Sequence, residues 1–221
     1  MPTLTKILSG FALVLALAAC AAAPTSEAPP TVPTLAEAVA EEPALTSFVQ
    51  LADALALDLD EPWIVAEFAT YTLMAPSNDL LDVYASEILG DGNDADDLVA
   101  LATSLESDDE ARTLLRLFTL AHFVPGTHLS DRLLGGGDGV DDFVYWIHQL
   151  DGDTSLFAEV YTVDRAGERI VGITPDVRAG SLGRLYLNPD DLTFGSVDVT
   201  FDRGIVHVIA DADVCCTQSP F

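Results

Sequence analysis

Two rhythms of apolar residues divide this chain. Between about residue 34 and residue 122 they recur at three- and four-residue spacings, and beyond residue 143 they come in short blocks bounded by turn residues. Thr34-Leu35-Ala36-Glu37 reads as a capping box, Thr at the cap and Glu three residues on, opening a short helix that runs to about Glu42. Pro43 suits the first turn of a second helix, whose apolar face carries Leu45, Phe48, Val49, Ala52 and Leu55. The acidic stretch Asp58–Pro62 interrupts the pattern. Tyr71–Ala75 then reads as a short buried strand that Pro76 stops, and Ser77 caps a helix with Leu81, Tyr84 and Ile88 on one face. Gly90–Asp97 is an acidic loop leading to a helix near Leu98–Leu105. Ser107–Glu110 is a further capping box, opening the helix that ends at His122, with Leu114, Leu117 and Phe118 on its buried side. Val124-Pro125-Gly126 cannot continue that helix. Proline disfavours helical geometry in the residue before it, and Gly126 accepts a positive φ.

The second half predicts strands at Phe143–Leu150, Leu156–Val163, Arg169–Ile173, Arg184–Leu187 and Val197–Ile209. Asp151-Gly152, Ala166-Gly167 and Asn188-Pro189 are the turns between them. Within the last block Asp202-Arg203-Gly204 reads as a turn, and Ile205–Ile209 as a strand buried on both faces. Helices first and strands afterwards predict an α+β fold, not alternating βαβ units.

The N-terminus follows a different logic. Met1–Cys20 has one basic residue, Lys6, then an apolar run Ile7–Leu17, then Leu17-Ala18-Ala19-Cys20. The run is shorter than the roughly twenty apolar residues of a spanning helix, and it describes a secretory signal. Its ending resembles a bacterial lipobox. Residues 1–19 are therefore the expected signal peptide, with Cys20 the acylated first residue of the mature chain; a plain signal peptide cut near Ala23 is the other reading. Ala21 follows the cysteine, not the aspartate of inner-membrane retention, which favours the outer membrane. Residues 20–33, rich in Pro, Ala and Thr, cannot bury enough surface to fold and read as a disordered tether. Residues 34–214 are the expected domain and 215–221 a C-terminal tail.

Charge narrows the partners. Thirty-six acidic residues against nine Lys and Arg give a formal net charge of −27. Binding to phosphate rests on Lys and Arg, so a nucleic-acid partner is excluded, and a basic patch cannot be what holds the chain to a membrane. The acidity reads as a solvated surface, with divalent-cation binding as the other reading. Two calcium-like stretches fail on inspection. In Gly90–Asp97, Ala95 lacks a ligating oxygen and Asp96 replaces the required glycine. Gly136–Val144 is a single copy of a nonapeptide that binds only when stacked, and reads as a glycine turn. No cofactor and no metal site is expected.

Three stretches together carry a resemblance. Thr72–Leu81, TLMAPSNDLL, is similar to the fasciclin pattern Thr-Val-Phe-Ala-Pro-Thr-Asn-Glu-Ala-Phe, with Ala75-Pro76 and Asn78 identical. His122-Phe123-Val124-Pro125-Gly126 resembles the fasciclin Tyr-His-x-x-Pro-Gly, with Ala121 in place of the tyrosine. Asp198–Asp211, DVTFDRGIVHVIAD, resembles the closing motif Asp-Ile-x-x-x-Asn-Gly-Val-Ile-His-Val-Ile-Asp. Arg203 there replaces the Asn, and Ala210 stands where the acid is expected. The motifs occur in order across residues 34–214. The resemblance implies a fasciclin-like β-wedge with the N-terminal helices packed on it, and a role in adhesion. It also implies that Gly135–Asn188 is longer than usual and adds hairpins.

Catalytic patterns are missing from the sequence: there is no Gly-x-Ser-x-Gly elbow, no phosphate-binding glycine loop and no His-Glu-x-x-His. Of the four histidines, His122 and His128 straddle a corner and do not share a helical face as zinc ligands would. His207, among Ile205, Val206, Val208 and Ile209, reads as a structural histidine. His122, Asp198, Val199 and His207 are the candidate binding or motif residues, and no catalytic residue is assigned. Cys215 and Cys216 adjoin each other, too close for an unstrained bond between them; they either bridge two chains or lie free. The expected function is a non-enzymatic, lipid-anchored envelope protein that contacts a protein or polysaccharide of the cell surface or matrix. A small-molecule binding protein is the alternative from another class, and a hydrolase using His122 is a third. Oligomeric state is not set by the sequence. Mass spectrometry of the mature N-terminus is expected to find an acylated Cys20; an unmodified chain beginning near Ala23 would mean a plain signal peptide.

Overall fold

The computed structural model describes residues 31–60, 69–107, 109–131, 143–149, 154–165, 168–179, 184–186 and 188–215. The expected signal peptide, Cys20, most of the tether, the glycine turn before residue 143 and Cys216 lie outside them. Thr34 and Glu37 do form the capping box: the Thr34 hydroxyl accepts from Glu37 N–H at 3.3 Å, and the Glu37 carboxylate accepts from Thr34 N–H at 2.9 Å. Helix α1 is Leu35–Ala40. Pro43–Leu45 is a single 3-10 turn rather than the start of the helix, and α2 follows at Thr46–Ala54. Helix α3, Asn78–Leu89, is capped by Ser77 as expected.

Two further helix starts differ from expectation, and both of these differences trace to aspartate. Helix α4 is Ala95–Ser104, so it begins inside the expected acidic loop. The Asp94 carboxylate accepts from Asp96 and Asp97 N–H, and Asp97 accepts from Asp94 N–H in return. Those carboxylates lie at the positive end of the helix dipole, where they stabilise it. Helix α5, Glu110–Leu120, is capped by Asp109, not Ser107.

At the other helix ends the few cations matter. The Arg112 guanidinium donates to the carbonyl of Ala54 at 2.6 Å and to that of Ala102, while Arg116 donates to Leu55 and Ala56 at 3.3 and 3.2 Å. Helix α5 thus covers the unsatisfied carbonyl ends of α2 and α4, which carry no basic residue in their last turns. Burial and the neighbouring Arg112 charge both lower the Arg116 pKa.

Strands β1 (Tyr71–Pro76), β2 (Phe123–Pro125), β7 (Asn188–Phe194), β8 (Val199–Phe201) and β9 (Gly204–Cys215) form one mixed sheet. β1 lies inside it, antiparallel to β2 and parallel to the first half of β9, in the register Tyr71↔Gly204 to Pro76↔Ile209. All six β1 residues are buried. β8 and then β7 take the other edge of β9. The sequence pattern predicts one strand over Val197–Ile209. The turn expected at Asp202-Arg203-Gly204 divides that block into β8 and β9, and β9 runs beyond the expected end to Cys215 because β7 pairs with it there. β7 itself was not expected, since Asn188-Pro189 is a turn signal; on an outer strand with irregular register, proline is tolerated.

The segment between the corner and β7 forms a second, antiparallel sheet in the order β3 (Phe143–Gln149), β4 (Thr154–Arg165), β5 (Glu168–Ala179) and β6 (Arg184–Tyr186). β4 and β5 are longer than expected and pair from Thr154↔Ala179 to Arg165↔Glu168. β5 runs on through Pro175, which β6 does not reach, because β6 pairs only with Asp176, Val177 and Arg178. The fold is therefore α+β, as expected. Its main core lies between α1–α5 and the mixed sheet, around Phe48, Leu73, Leu80, Phe118 and Phe123. Among the described residues no helix is long and apolar enough to cross a membrane.

Gly204 sets the closeness of the two inner strands. A Cβ built on it would stand 1.8 Å from the Tyr71 carbonyl oxygen and 3.2 Å from Phe201 Cζ. No side-chain rotation relieves a clash with backbone. Gly204→Ala is expected to lower unfolding stability by about 3 kcal/mol, the upper part of the usual overpacking range, read from the denaturant midpoint.

Candidate functional site

Two loops meet over the middle of β9. The first, residues 126–130, leaves β2 through Gly126, whose φ of 86° matches the positive value expected of it. Gly126 N–H donates to Thr70 O at 2.9 Å, and the Thr72 hydroxyl donates to Gly126 O at 2.8 Å while accepting from His128 N–H at 2.9 Å. The second loop, residues 195–198, is hung on β9 by bonds of Gly195 N–H to Val208 O and Val208 N–H to Ser196 O. Between them lies the His207 imidazole, wholly buried.

The partners of that imidazole define its protonation state. Nε2 lies 2.6 Å from His128 O, an atom that can only accept, so Nε2 carries the proton. Nδ1 lies 3.3 Å from Asp198 N–H, which can only donate, so Nδ1 is bare. The ring is neutral and committed at both nitrogens, with the Phe194 ring edge-on at 5.7 Å. Burial lowers the His207 pKa. The His128 carbonyl and the Asp198 carboxylate oppose that shift, and the His128 ring adds to it.

Asp198 holds a left-handed φ of 54°, which aspartate tolerates better than most residues. Its Oδ1 accepts from Ser130 N–H at 2.9 Å, and its Oδ2 accepts from the Ser130 hydroxyl. Burial pushes the Asp198 carboxyl up, but the two Ser130 donors and His207 outweigh it and leave the pKa below the usual carboxylate value. Asp198 Oδ1 is 4.0 Å from His207 Nε2, too long for a direct bond. The carboxylate side chain keeps 35% of its surface exposed. Leu129 and Val197, each next in sequence to a member of the clamp, are 42% and 37% exposed.

His122 is a separate case. It is buried, its Nδ1–H donates to Phe118 O at 3.1 Å, and the Phe118 ring meets it edge-on at 5.2 Å. Among the described residues, its Nε2 and the Tyr84 hydroxyl are the buried side-chain atoms without a hydrogen-bond partner, and the two rings are 6.2 Å apart. A bare acceptor thus faces the neighbourhood of an unused donor. Burial pushes the Tyr84 pKa up and, against the helix carbonyls of Phe118 and Thr119, brings His122 down to about 4.

The structure joins Asp198 to His207 and places Val199, half-buried, opposite Val206. His122 lies on the far side of β1 from them: Met74 pairs with His207 and donates its N–H to His122 O at 2.9 Å. The corner strand and the His207 strand therefore flank the same strand of one sheet. Sequence reasoning did not reach Ser130 or Thr72, and it gave His128 no role. Ser130 and Asp198 are 68 residues apart, and no local pattern marks a serine that will cap a distant carboxylate.

Chemically, the described residues of this site form a clamp between two loops. The Ser130 hydroxyl meets a carboxylate of lowered basicity and no imidazole, and His207 has no free nitrogen with which to move a substrate proton. No protein-family model matches the chain, and no curated protein matches its sequence.

Two outcomes follow from these environments. The folded His122 pKa of about 4 lies below its ordinary value of 6.5, so its contribution to stability is full above pH 6.5. As the pH falls from 6.5 towards 4 the unfolded chain takes up a proton that the folded one refuses. Stability then declines by up to about 1.4 kcal/mol per pH unit, and levels once the pH is below the folded value. Urea unfolding across that range, with His122→Phe as the flattened comparison, checks it. Ser130→Ala removes one hydroxyl donor, so the Asp198 carboxyl is expected to titrate closer to its ordinary range by NMR. The half-exposed setting limits the stability loss to about 1 kcal/mol.

Proposed function

We propose that this chain is a non-enzymatic, lipid-anchored protein of a bacterial envelope whose fasciclin-like domain acts in adhesion or partner binding. The observation that carries the reading is spatial. The stretches bearing the three fasciclin-like motifs are far apart in sequence, yet β1, the His122 corner with β2, and β9 are neighbouring strands of one sheet. That is the arrangement expected of motifs that belong to one packed unit. The lipobox-like ending at Cys20 supplies the anchor, and residues 20–33 hold the domain away from the bilayer. Within the motifs, His122 and His207 are buried and take the packing roles. Asp198 and Val199 reach the surface beside Leu129 and Val197. A partner would meet exposed Leu129 and Val197 on the two loops that the partly exposed Asp198 carboxylate joins; that pairing of apolar side chains and one charge suits a protein surface carrying Lys or Arg.

The test uses the Cys20→Ser chain, which cannot be acylated, in binding assays against envelope proteins and polysaccharides. Binding to at least one, weakened about tenfold or more by Leu129→Asp or Val197→Asp without loss of stability, is the expected result. Silence against all of them, or binding indifferent to both substitutions, rejects this surface as the adhesive one.

A further inference from the structure

The clamp described above contains a titratable part at its hinge. Two loops are tied to each other from above by Asp198 and Ser130, and from below by the His207 ring, which donates to the first loop at His128 O and accepts from the second at Asp198 N–H. The lower tie works only while Nδ1 is bare. A protonated imidazole has N–H on both nitrogens and can accept from neither side. Protonation would set a ring N–H against the Asp198 N–H, at a ring that is fully buried. Asp198 is also the residue whose left-handed φ of 54° must be held in place by its surroundings.

We propose that His207 is an acid-sensitive latch: its protonation frees the Asp198 end of the 195–198 loop, while the bonds of Gly195 and Ser196 to Val208, the Ser196 bond to Glu42 and the sheet beneath stay in place. Among the described residues, the groups facing the ring are few. From the 195–198 loop comes the Asp198 carboxylate, which attracts a proton but already accepts both Ser130 donors. The 126–130 loop supplies the His128 ring, which repels one. β7 contributes the uncharged Phe194 ring. β1 places Met74 opposite, and β8 carries only Val199, Thr200 and Phe201, so neither adds a charge. The bond on which the latch depends, at 3.3 Å, is longer than the 2.6 Å bond on the other nitrogen, so the Asp198 side is the one that gives way. Release alters the part of the surface that bears Val197 and adjoins Leu129, whether or not that surface is adhesive.

Amide hydrogen exchange of the full-length chain, resolved by residue and corrected for intrinsic rates, tests this between about pH 7 and pH 5. The Asp198 amide is expected to lose protection about tenfold relative to Leu73 and Val206, which lie in the β1–β9 ladder and follow any global loss caused by His122. His207→Asn places an untitratable oxygen acceptor near the Nδ1 position, and is expected to keep Asp198 protected at both pH values. Equal protection ratios at the two pH values in the natural chain, or the same acid response in His207→Asn, overturns the latch. Should that variant not fold, the ring nitrogen shifts of the natural chain decide: a proton on Nδ1 at neutral pH also overturns it.

Discussion

The closeness of β1 and β9 is the constraint on which the rest of this molecule depends. β1 is buried at every position and is hydrogen-bonded on both sides, so each of its backbone groups has to find a strand partner. Gly204 lets β9 approach within reach of the Tyr71 carbonyl, where any side chain would collide. Tyr71 and Phe201 then pack with ring centres 5.0 Å apart above that contact, and Arg203 lies 5.6 Å over the Tyr71 ring. Burial is the main reason the Tyr71 hydroxyl is pushed up to about 12, with the Arg203 charge opposing it. Everything hung on the sheet inherits its position from this pairing, including Met74, which faces His207 on one side and His122 on the other.

Acidity shapes the periphery in an orderly way. Carboxylates serve at helix starts, where Glu37, Asp94 and Asp109 meet free N–H groups and the dipole favours them. Two arginines of α5 serve at helix ends, where a carboxylate would be repelled by the carbonyls. In a chain of net charge −27, placing scarce cations at the carbonyl ends of α2 and α4 stabilises three helices at once.

The two buried histidines show how one residue type takes two roles in neighbouring settings. His207 is satisfied at both nitrogens and joins two loops; His122 is satisfied at one and closes the end of α5. Both are held neutral by burial, and both therefore respond to acid. Their reach differs: His122 sits in the helix–sheet core and its protonation opposes the whole fold, whereas His207 governs the attachment of a loop.

Local periodicity and capping chemistry were enough to place α1, α3, β1, the corner at Gly126 and the apolar strand Ile205–Ile209. In each of these the signal is carried by residues within a few positions of one another. The start of α4 at Ala95 was hidden because aspartate reads equally as loop and as cap, and only the returning bond from Asp97 separates the two. β7 and the extension of β9 could not be foreseen, since Pro189 argues against a strand unless it lies at an edge, and edges exist only after the sheet assembles. The site divides in the same way. Asp198 and His207 stood out by pattern, but Ser130 and His128 became their partners through bonds spanning up to 79 residues, and Thr72 holds the His128 loop in place. Sequence carries the propensities of short segments; which polar groups must satisfy each other across the core is decided when the chain closes and water is excluded.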